Sequence, residues 1–151
     1  MRWFDREGFL GSFDNEQVEA AKAAYWQHIE RLRPQLPEPV ERLALDVNLH
    51  DARITEWEIN EGVLRAGFGW GDLQGYWLSI LTYRGAAIRL GAPESLDDPK
   101  TEVLYDEVDT AEEGFEHRLL LWPNGEIAIR FHSLALETKP LAQRAERRAR
   151  D

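Results

Sequence analysis

The chain has 151 residues, of which 43% are hydrophobic and 11% are aromatic. This length suits one globular domain that buries most of its apolar surface on folding. Cysteine is absent, which excludes disulfides, thiolate nucleophiles and every cysteine-based zinc or iron–sulfur site. The formal net charge of −10 disfavours nucleic-acid binding by the body of the domain, because affinity for phosphate depends on basic groups.

The N-terminal sequence MRWFDRE carries acids where a secretory signal has its apolar stretch, and no run of 18 apolar residues occurs in the chain. The sequence therefore predicts a cytoplasmic protein that does not bind membranes. No cofactor is expected, because the spacings of P-loops, dinucleotide-binding turns, EF-hands and zinc sites do not occur.

The first predicted element is a helix that begins after Asp14. Asp14 and Gln17, three residues later, form a capping-box pattern, and Pro34 ends the helix. A shorter helix is predicted after Pro39. The longer helix carries one apolar stripe at three- and four-residue steps: Val18, Ala21, Tyr25, Ile29 and Leu32.

Residues 52–136 have the sequence pattern that is typical of β-strands. Alternation of apolar and polar residues on both sides of Asn60-Glu61-Gly62 predicts a hairpin. Residues 76–83 are apolar on both faces, which predicts a central strand covered on both sides. Residues 86–90 either extend this strand or start another, and residues 102–108 are expected to form the next strand.

The last predicted hairpin pairs residues 115–122 with residues 126–136 around the sequence Pro-Asn-Gly. A three-residue loop is favoured over a two-residue Asn-Gly turn, which would place Pro123 where a donating N–H is needed. The favoured register sets Arg118 opposite Arg130, a mildly repulsive pair.

The same register decides whether two histidines can share a metal ion. With the three-residue loop, His117 and His132 lie on opposite faces of the sheet, which argues against a metal site. With the two-residue turn they would be cross-strand neighbours. We therefore expect no metal.

The simplest architecture is a single α+β domain, residues 1–138, with about six mainly antiparallel strands in hairpins and N-terminal helices packed on one face. Residues 139–151 hold five basic and two acidic side chains. They are expected to form a basic tail that is either disordered or a short helix.

Most of the excess negative charge lies in residues 94–116, where ten acids accompany one base. Such a run is either a solvated surface that keeps the protein soluble or a face that binds a basic partner. In the partner-binding hypothesis, Asp106, Glu107 and Asp109 supply the acidic surface.

Six tryptophans are many for a chain of this length. Most are expected in the core, because their large rings bury much apolar area. Trp77 and Trp122 fall on faces with no clear partner, so they are the two tryptophans we would expect at a binding surface.

His50 and Asp51 are the pair that most invites a catalytic interpretation. Adjacent residues of an extended chain point to opposite faces, so this pair acts as base and orienter only if the chain turns there. The favoured interpretation is structural: Asp51 caps backbone N–H groups at the start of a strand, and His50 packs against a helix. The catalytic alternative needs another acid to converge on His50, such as Asp72, Asp106 or Glu107.

Six short motifs are spread over nearly the whole chain: Trp3-Phe4, Tyr25-Trp26, Leu36-Pro37, Leu49-His50-Asp51-Ala52, Leu104-Tyr105-x-Glu107 and Glu126-Ile127-x-Ile129. With these motifs the chain resembles a family of bacterial domains of unknown function. The Leu-His-Asp-Ala step at the start of a strand is the most specific of the six. The resemblance implies a shared bacterial fold, and it identifies no catalytic residue in this chain. The acidic loop 94–102 and the basic tail depart from the family pattern.

The sequence thus favours a non-catalytic binding or interaction domain, immunity-like or scaffold-like, whose acidic surface binds a basic protein partner. The alternative is a small hydrolase or metal-dependent enzyme centred on His50 and Asp51. A homodimer formed through an uncovered sheet edge or face is a third hypothesis.

Overall fold

The structure is a computed structural model, and it describes residues 1–141 of the chain. The fold is α+β with one antiparallel sheet, as predicted, but the sheet has eight strands rather than about six. The α-helices are α1 (Asn15–Leu32) and α2 (Glu38–Leu45), and short π- or 3₁₀-helical segments lie at Gly8–Ser12, Arg33–Gln35 and Pro93–Leu96. The strands are β1 (Ala52–Asn60), β2 (Val63–Asp72), β3 (Gly75–Arg84), β4 (Ala87–Leu90), β5 (Glu102–Ala111), β6 (Gly114–Trp122), β7 (Glu126–Phe131) and β8 (Ser133–Leu141).

Two bends account for the higher number of strands. Gly85, with a φ of 66°, separates β4 from β3, so the residues after it start a new strand. His132 divides the predicted last strand into β7 and β8. Because β8 continues to Leu141, the predicted tail begins three residues too early, and the rest of that tail lies outside the described residues.

The strand order is β4-β7-β6-β5-β1-β2-β3-β8. The strands at the two ends of this order meet, because β4 continues β3 and β8 continues β7. The pairing register is continuous across both bends: Arg84 pairs with Ser133, and Ala87 pairs with Arg130. Two four-stranded halves are therefore joined at this corner and again where β1 pairs briefly with β5.

The predicted capping box of α1 is confirmed. The carboxylate of Asp14 accepts a hydrogen bond of 2.8 Å from the backbone N–H of Gln17, whose side chain accepts one of 2.9 Å from Asp14 N–H. Both helices contact β5, and α2 also contacts β8. In the part of the chain that the structure describes, no helix is long and apolar enough to span a membrane.

The β1–β2 hairpin is also confirmed, with a two-residue turn at Glu61 and Gly62. Both have positive φ, 49° and 75°, as a type I′ turn requires. The strand β3 lies between β2 and β8, but it is covered on one face only, since Ile80 and Thr82 are partly exposed. The apolar residues that alternate along β2 are all buried: Leu64, Ala66, Phe68 and Trp70.

The predicted register of the last hairpin is wrong. His117 pairs with Ile129, two residues from the predicted position, and five residues connect the last pair of the hairpin. This register places Arg130 opposite Glu116 instead of Arg118, and Arg130 Nε lies 2.8 Å from Glu116 Oε2. A repulsive pair is thereby replaced by an ion pair.

Candidate functional site

The acidic stretch of β5 carries Glu107, which lies fully buried beneath the N-terminal segment, residues 1–4. Its carboxylate accepts hydrogen bonds from the backbone N–H groups of Arg2, Trp3 and Phe4 at 2.6–3.0 Å. Arg118 Nε donates a further hydrogen bond at 2.9 Å. These donors replace the water that a buried carboxylate loses.

Two neighbouring acids, Asp109 and Glu116, belong to the same ion-pair network as Glu107 and Arg118. Arg118 reaches Asp109 and Glu116, each at 3.0 Å, while His28 Nε2 lies 2.8 Å from Asp109 and Arg130 contacts Glu116. Burial raises the pKa of Asp109, but the hydrogen bonds from His28 and Arg118 outweigh it and lower the net pKa. Burial likewise raises the pKa of Glu116, but the hydrogen bonds from Arg130 and Arg118 have the larger effect. The pKa of Glu116 is therefore lowered overall.

The acids of β5 do not form the exposed surface that the charge pattern predicted. Glu107 is 0% exposed and Asp109 is 8% exposed. Both carboxylates are occupied by Arg118 and by other groups of the same chain. The prediction that these two residues present an acidic face to a partner is therefore wrong in the folded protein. Asp106 has a different environment.

Asp106 connects the core to the protein surface. Its Oδ2 lies 2.8 Å from Nε2 of His117, and Nδ1 of His117 lies 2.7 Å from the hydroxyl of Tyr83. His117 and Tyr83 are fully buried, whereas the side chain of Asp106 is 19% exposed. A chain of three hydrogen-bonding groups thus begins in the core and ends at a carboxylate that water reaches.

The exposed end of this chain opens into a pocket between the helices and β5. Its volume is about 390 Å³, within the range of small-molecule sites. Four aromatic side chains line the pocket: Phe4, Tyr25, Trp26 and Tyr105. Its polar lining consists of Lys22, Asp46, Asn48, His50 and Asp106.

The aromatic wall depends on the N-terminal segment. Phe4 stacks on Tyr105 with ring centroids 5.1 Å apart and meets the Tyr25 ring edge-on at 5.2 Å. Because Glu107 binds the backbone of Phe4, the buried carboxylate of β5 fixes one wall of the pocket. Trp26 is 46% exposed, lies beside Tyr25 and lines the same pocket.

His50 lies at the pocket, but its partners differ from those predicted. Its Nδ1 donates a hydrogen bond to the backbone carbonyl of Leu104, and its ring lies 5.0 Å from that of Tyr105 on β5. Asp51 has a φ of 62°, so the chain turns, and its Oδ2 lies 3.5 Å from His50 Nε2. The chain thus makes the turn that a joint role of the two residues requires, and His50 packs against β5 rather than against a helix as predicted. Asp51 is not among the residues that line the pocket.

The two tryptophans predicted at a binding surface lie elsewhere. Trp77 is partly buried, and its indole N–H donates to Asp72 at 3.1 Å. Trp122 is 46% exposed at the end of β6. The pocket is lined instead by Trp26, which no sequence pattern singled out as a binding residue.

The histidine pair of the last hairpin is separated. His117 is in the core and His132 is exposed. Within residues 1–141, no group of three or more histidine, aspartate or glutamate side chains could hold a metal ion. The sequence offered one hint of the role of His117: it alternates with Leu119 and Leu121 on the apolar face of β6.

Comparisons with known proteins add no further information on this site. The chain matches no protein-family model, no curated protein and no solved structure. The function is therefore inferred from the chemistry of the pocket.

Proposed function

We propose that the chain is a non-catalytic binding domain that holds a basic group, an amine or a guanidinium, in the pocket beside Asp106. The observation that carries this proposal is the position of the Asp106 carboxylate. One oxygen is bound to His117, while no donor from residues 1–141 is placed on the other, Oδ1. The side chain of Asp106 is 19% exposed, and the residue lines an aromatic pocket.

An aromatic pocket with a carboxylate suits a cation for two physical reasons. The faces of tryptophan and tyrosine attract cations, and a hydrogen bond between two charged partners is about twice as strong as a neutral one. Among residues 1–141, the pocket lining holds two acids, Asp46 and Asp106, against one permanent base, Lys22. The ammonium of Lys22 lies 3.6 Å from Glu19 on the same helix, which offsets part of its charge.

The basic group can belong to a protein partner, as the sequence favours. A lysine or arginine side chain would enter the pocket, and the net charge of −10 would attract a basic protein at long range. The proposal thus retains an immunity-like or scaffold-like bacterial binding domain. It moves recognition from an acidic surface to an aromatic pocket whose described lining includes the carboxylates of Asp46 and Asp106.

The test is calorimetric titration with benzylamine and with benzyl alcohol, its neutral counterpart of nearly equal shape. We expect benzylamine to bind at least about tenfold more tightly, a difference of about 1.4 kcal/mol. A parallel pair, the peptides Gly-Arg-Gly and Gly-citrulline-Gly, tests a guanidinium on a peptide. If neither cationic probe binds better than its neutral counterpart, the proposal is wrong.

A second candidate function is the small hydrolase centred on His50. It is favoured by one observation: His50 and Asp106 line the same pocket, and such convergence with an acid is what the catalytic hypothesis requires. Hydrolysis of p-nitrophenyl acetate above the buffer rate, lost in His50→Ala, would support this candidate. A rate equal to that of the His50→Ala variant would exclude it for this ester.

A further inference from the structure

Two buried side chains, His117 and Tyr83, lie behind the carboxylate of the pocket. They belong to β6 and β3, which are not neighbours in the sheet order, and both are 0% exposed. Their rings stack with centroids 6.1 Å apart. The donors and acceptors of buried polar side chains almost always have hydrogen-bond partners. This requirement determines which group donates and which accepts in each of the two bonds of His117.

Tyr83 sets the direction of the first hydrogen bond. Burial raises the pKa of its hydroxyl well above the ordinary value, so the group is neutral and has one proton to donate. Its hydrogen-bond partner among the described residues is Nδ1 of His117. If Nδ1 carried a proton, the buried hydroxyl proton would lack this acceptor. Nδ1 is therefore the acceptor.

The tautomer of His117 follows from that first bond. A neutral imidazole with an accepting Nδ1 carries its proton on Nε2. This Nε2–H donates to Asp106 Oδ2 over 2.8 Å. The carboxylate is held by a fixed donor, and no positive charge lies on the ring behind it to cancel its own charge.

We infer that His117 and Tyr83 are positioning residues for ligand binding: Tyr83 fixes the Nε2–H tautomer of His117, and this N–H holds Asp106 with its second oxygen available to the pocket. The inference rests on the proposed binding of a basic group by Asp106. It adds that affinity depends on two residues that do not touch the ligand. Preorganisation of this kind saves the cost of ordering the carboxylate when the ligand binds.

The first experiment reads the tautomer without any ligand. In protein labelled with ¹⁵N-histidine, we expect the nitrogen resonances of His117 at pH 7 to show a protonated Nε2 and an unprotonated Nδ1. An Nδ1–H tautomer or a doubly protonated ring would overturn the inference, even if benzylamine binds.

The second experiment compares two amide variants of His117. In His117→Gln the amide nitrogen reaches about the position of Nε2 and can still donate to Asp106. In His117→Asn the shorter amide can accept from Tyr83 but does not reach Asp106. We expect benzylamine affinity to stay within about threefold of the original in the Gln variant and to fall about tenfold in the Asn variant. Both are polar changes at one buried site, so a purely structural role would affect them alike.

The two proposals fail in different ways. If benzylamine does not bind the unchanged protein, the proposed function fails, while the tautomer can still be measured. If benzylamine binds, and the Gln and Asn variants bind it equally well, the positioning role fails and the binding function stands. If neither variant folds, the tautomer measurement on the unchanged protein alone decides the inference.

Discussion

The backbone N–H of Trp3 donates a hydrogen bond of 2.6 Å to Glu107, 104 residues further along the chain. This contact joins the N-terminal segment to the middle of β5. It also explains why the most acidic part of the sequence contributes to the interior: the carboxylate of Glu107 orders three consecutive backbone amides. One consequence is that Phe4 is available as a wall of the pocket.

Glu107→Ala should destabilise the protein strongly. The change leaves Nε of Arg118 and three backbone N–H groups without their acceptor, and breaking a buried ion pair typically costs about 3–5 kcal/mol. Urea unfolding at pH 7 measures the loss. Glu113→Ala, at an exposed position, is the control and should stay within about 0.5 kcal/mol of the original. Equal stabilities of the two variants would show that the N-terminal segment is not held by Glu107.

Stability should fall in acid because of Asp109 and Glu116. Their pKa values are lowered in the folded protein, so they contribute stability that is present above the unfolded pKa, near 4, and is lost as the pH falls through the folded pKa. We expect the free energy of unfolding to decline from about pH 5 towards pH 3. The double variant Asp109→Asn/Glu116→Gln should be less stable at pH 7 and depend less on pH. Identical pH profiles of urea midpoints would contradict this.

Gly114→Ala should be far more damaging than Gly11→Ala. Gly114 has a φ of 146°, and a Cβ there would lie 2.2 Å from the carbonyl oxygen of Phe131. A Cβ on Gly11 would meet nothing within 4 Å. We expect a loss of more than about 2 kcal/mol for Gly114→Ala and less than about 0.5 kcal/mol for Gly11→Ala. Thermal unfolding measures both, and a Gly114→Ala variant as stable as the control would rule out the described β5–β6 turn.

His50→Ala should reduce stability before it reduces binding. The variant loses the hydrogen bond to Leu104, a cost of about 1 kcal/mol, while Asp106 and the aromatic wall remain. We expect benzylamine affinity to change by less than about threefold. If affinity instead collapses to the level expected for loss of the Asp106 charge, His50 is a binding group in its own right.

Local sequence signals predicted the elements whose structure depends on few residues. The capping box at Asp14 and the turn at Glu61 and Gly62 each lie within a few positions, and both were correct. The bend at His132 was missed because it depends on two halves of a sheet meeting at a corner. The hairpin register was missed because the prediction assumed a three-residue loop at Pro-Asn-Gly, whereas five residues connect the last pair, Leu120 and Glu126.

The site was harder to predict than the fold. Asp106 was identified from sequence as an acidic binding residue, and it does line the pocket. Its neighbour Glu107 was grouped with it, although alternation along β5 sends the two side chains to different environments. Neither the cover of Glu107 by the N-terminal segment nor the link from Asp106 to Tyr83 could be read from spacing, because each joins residues distant in the chain.

The most direct test of the central claim is the affinity of Asp106→Asn for benzylamine. This change removes the negative charge and keeps the size of the side chain. Since hydrogen bonds to charged groups contribute about 1.5–3 kcal/mol, we expect the dissociation constant to rise roughly tenfold to a hundredfold. Asp97→Asn, an exposed acid that does not line the pocket, should bind as the unchanged protein does. Equal benzylamine affinity of Asp106→Asn and the unchanged protein would contradict the proposed function.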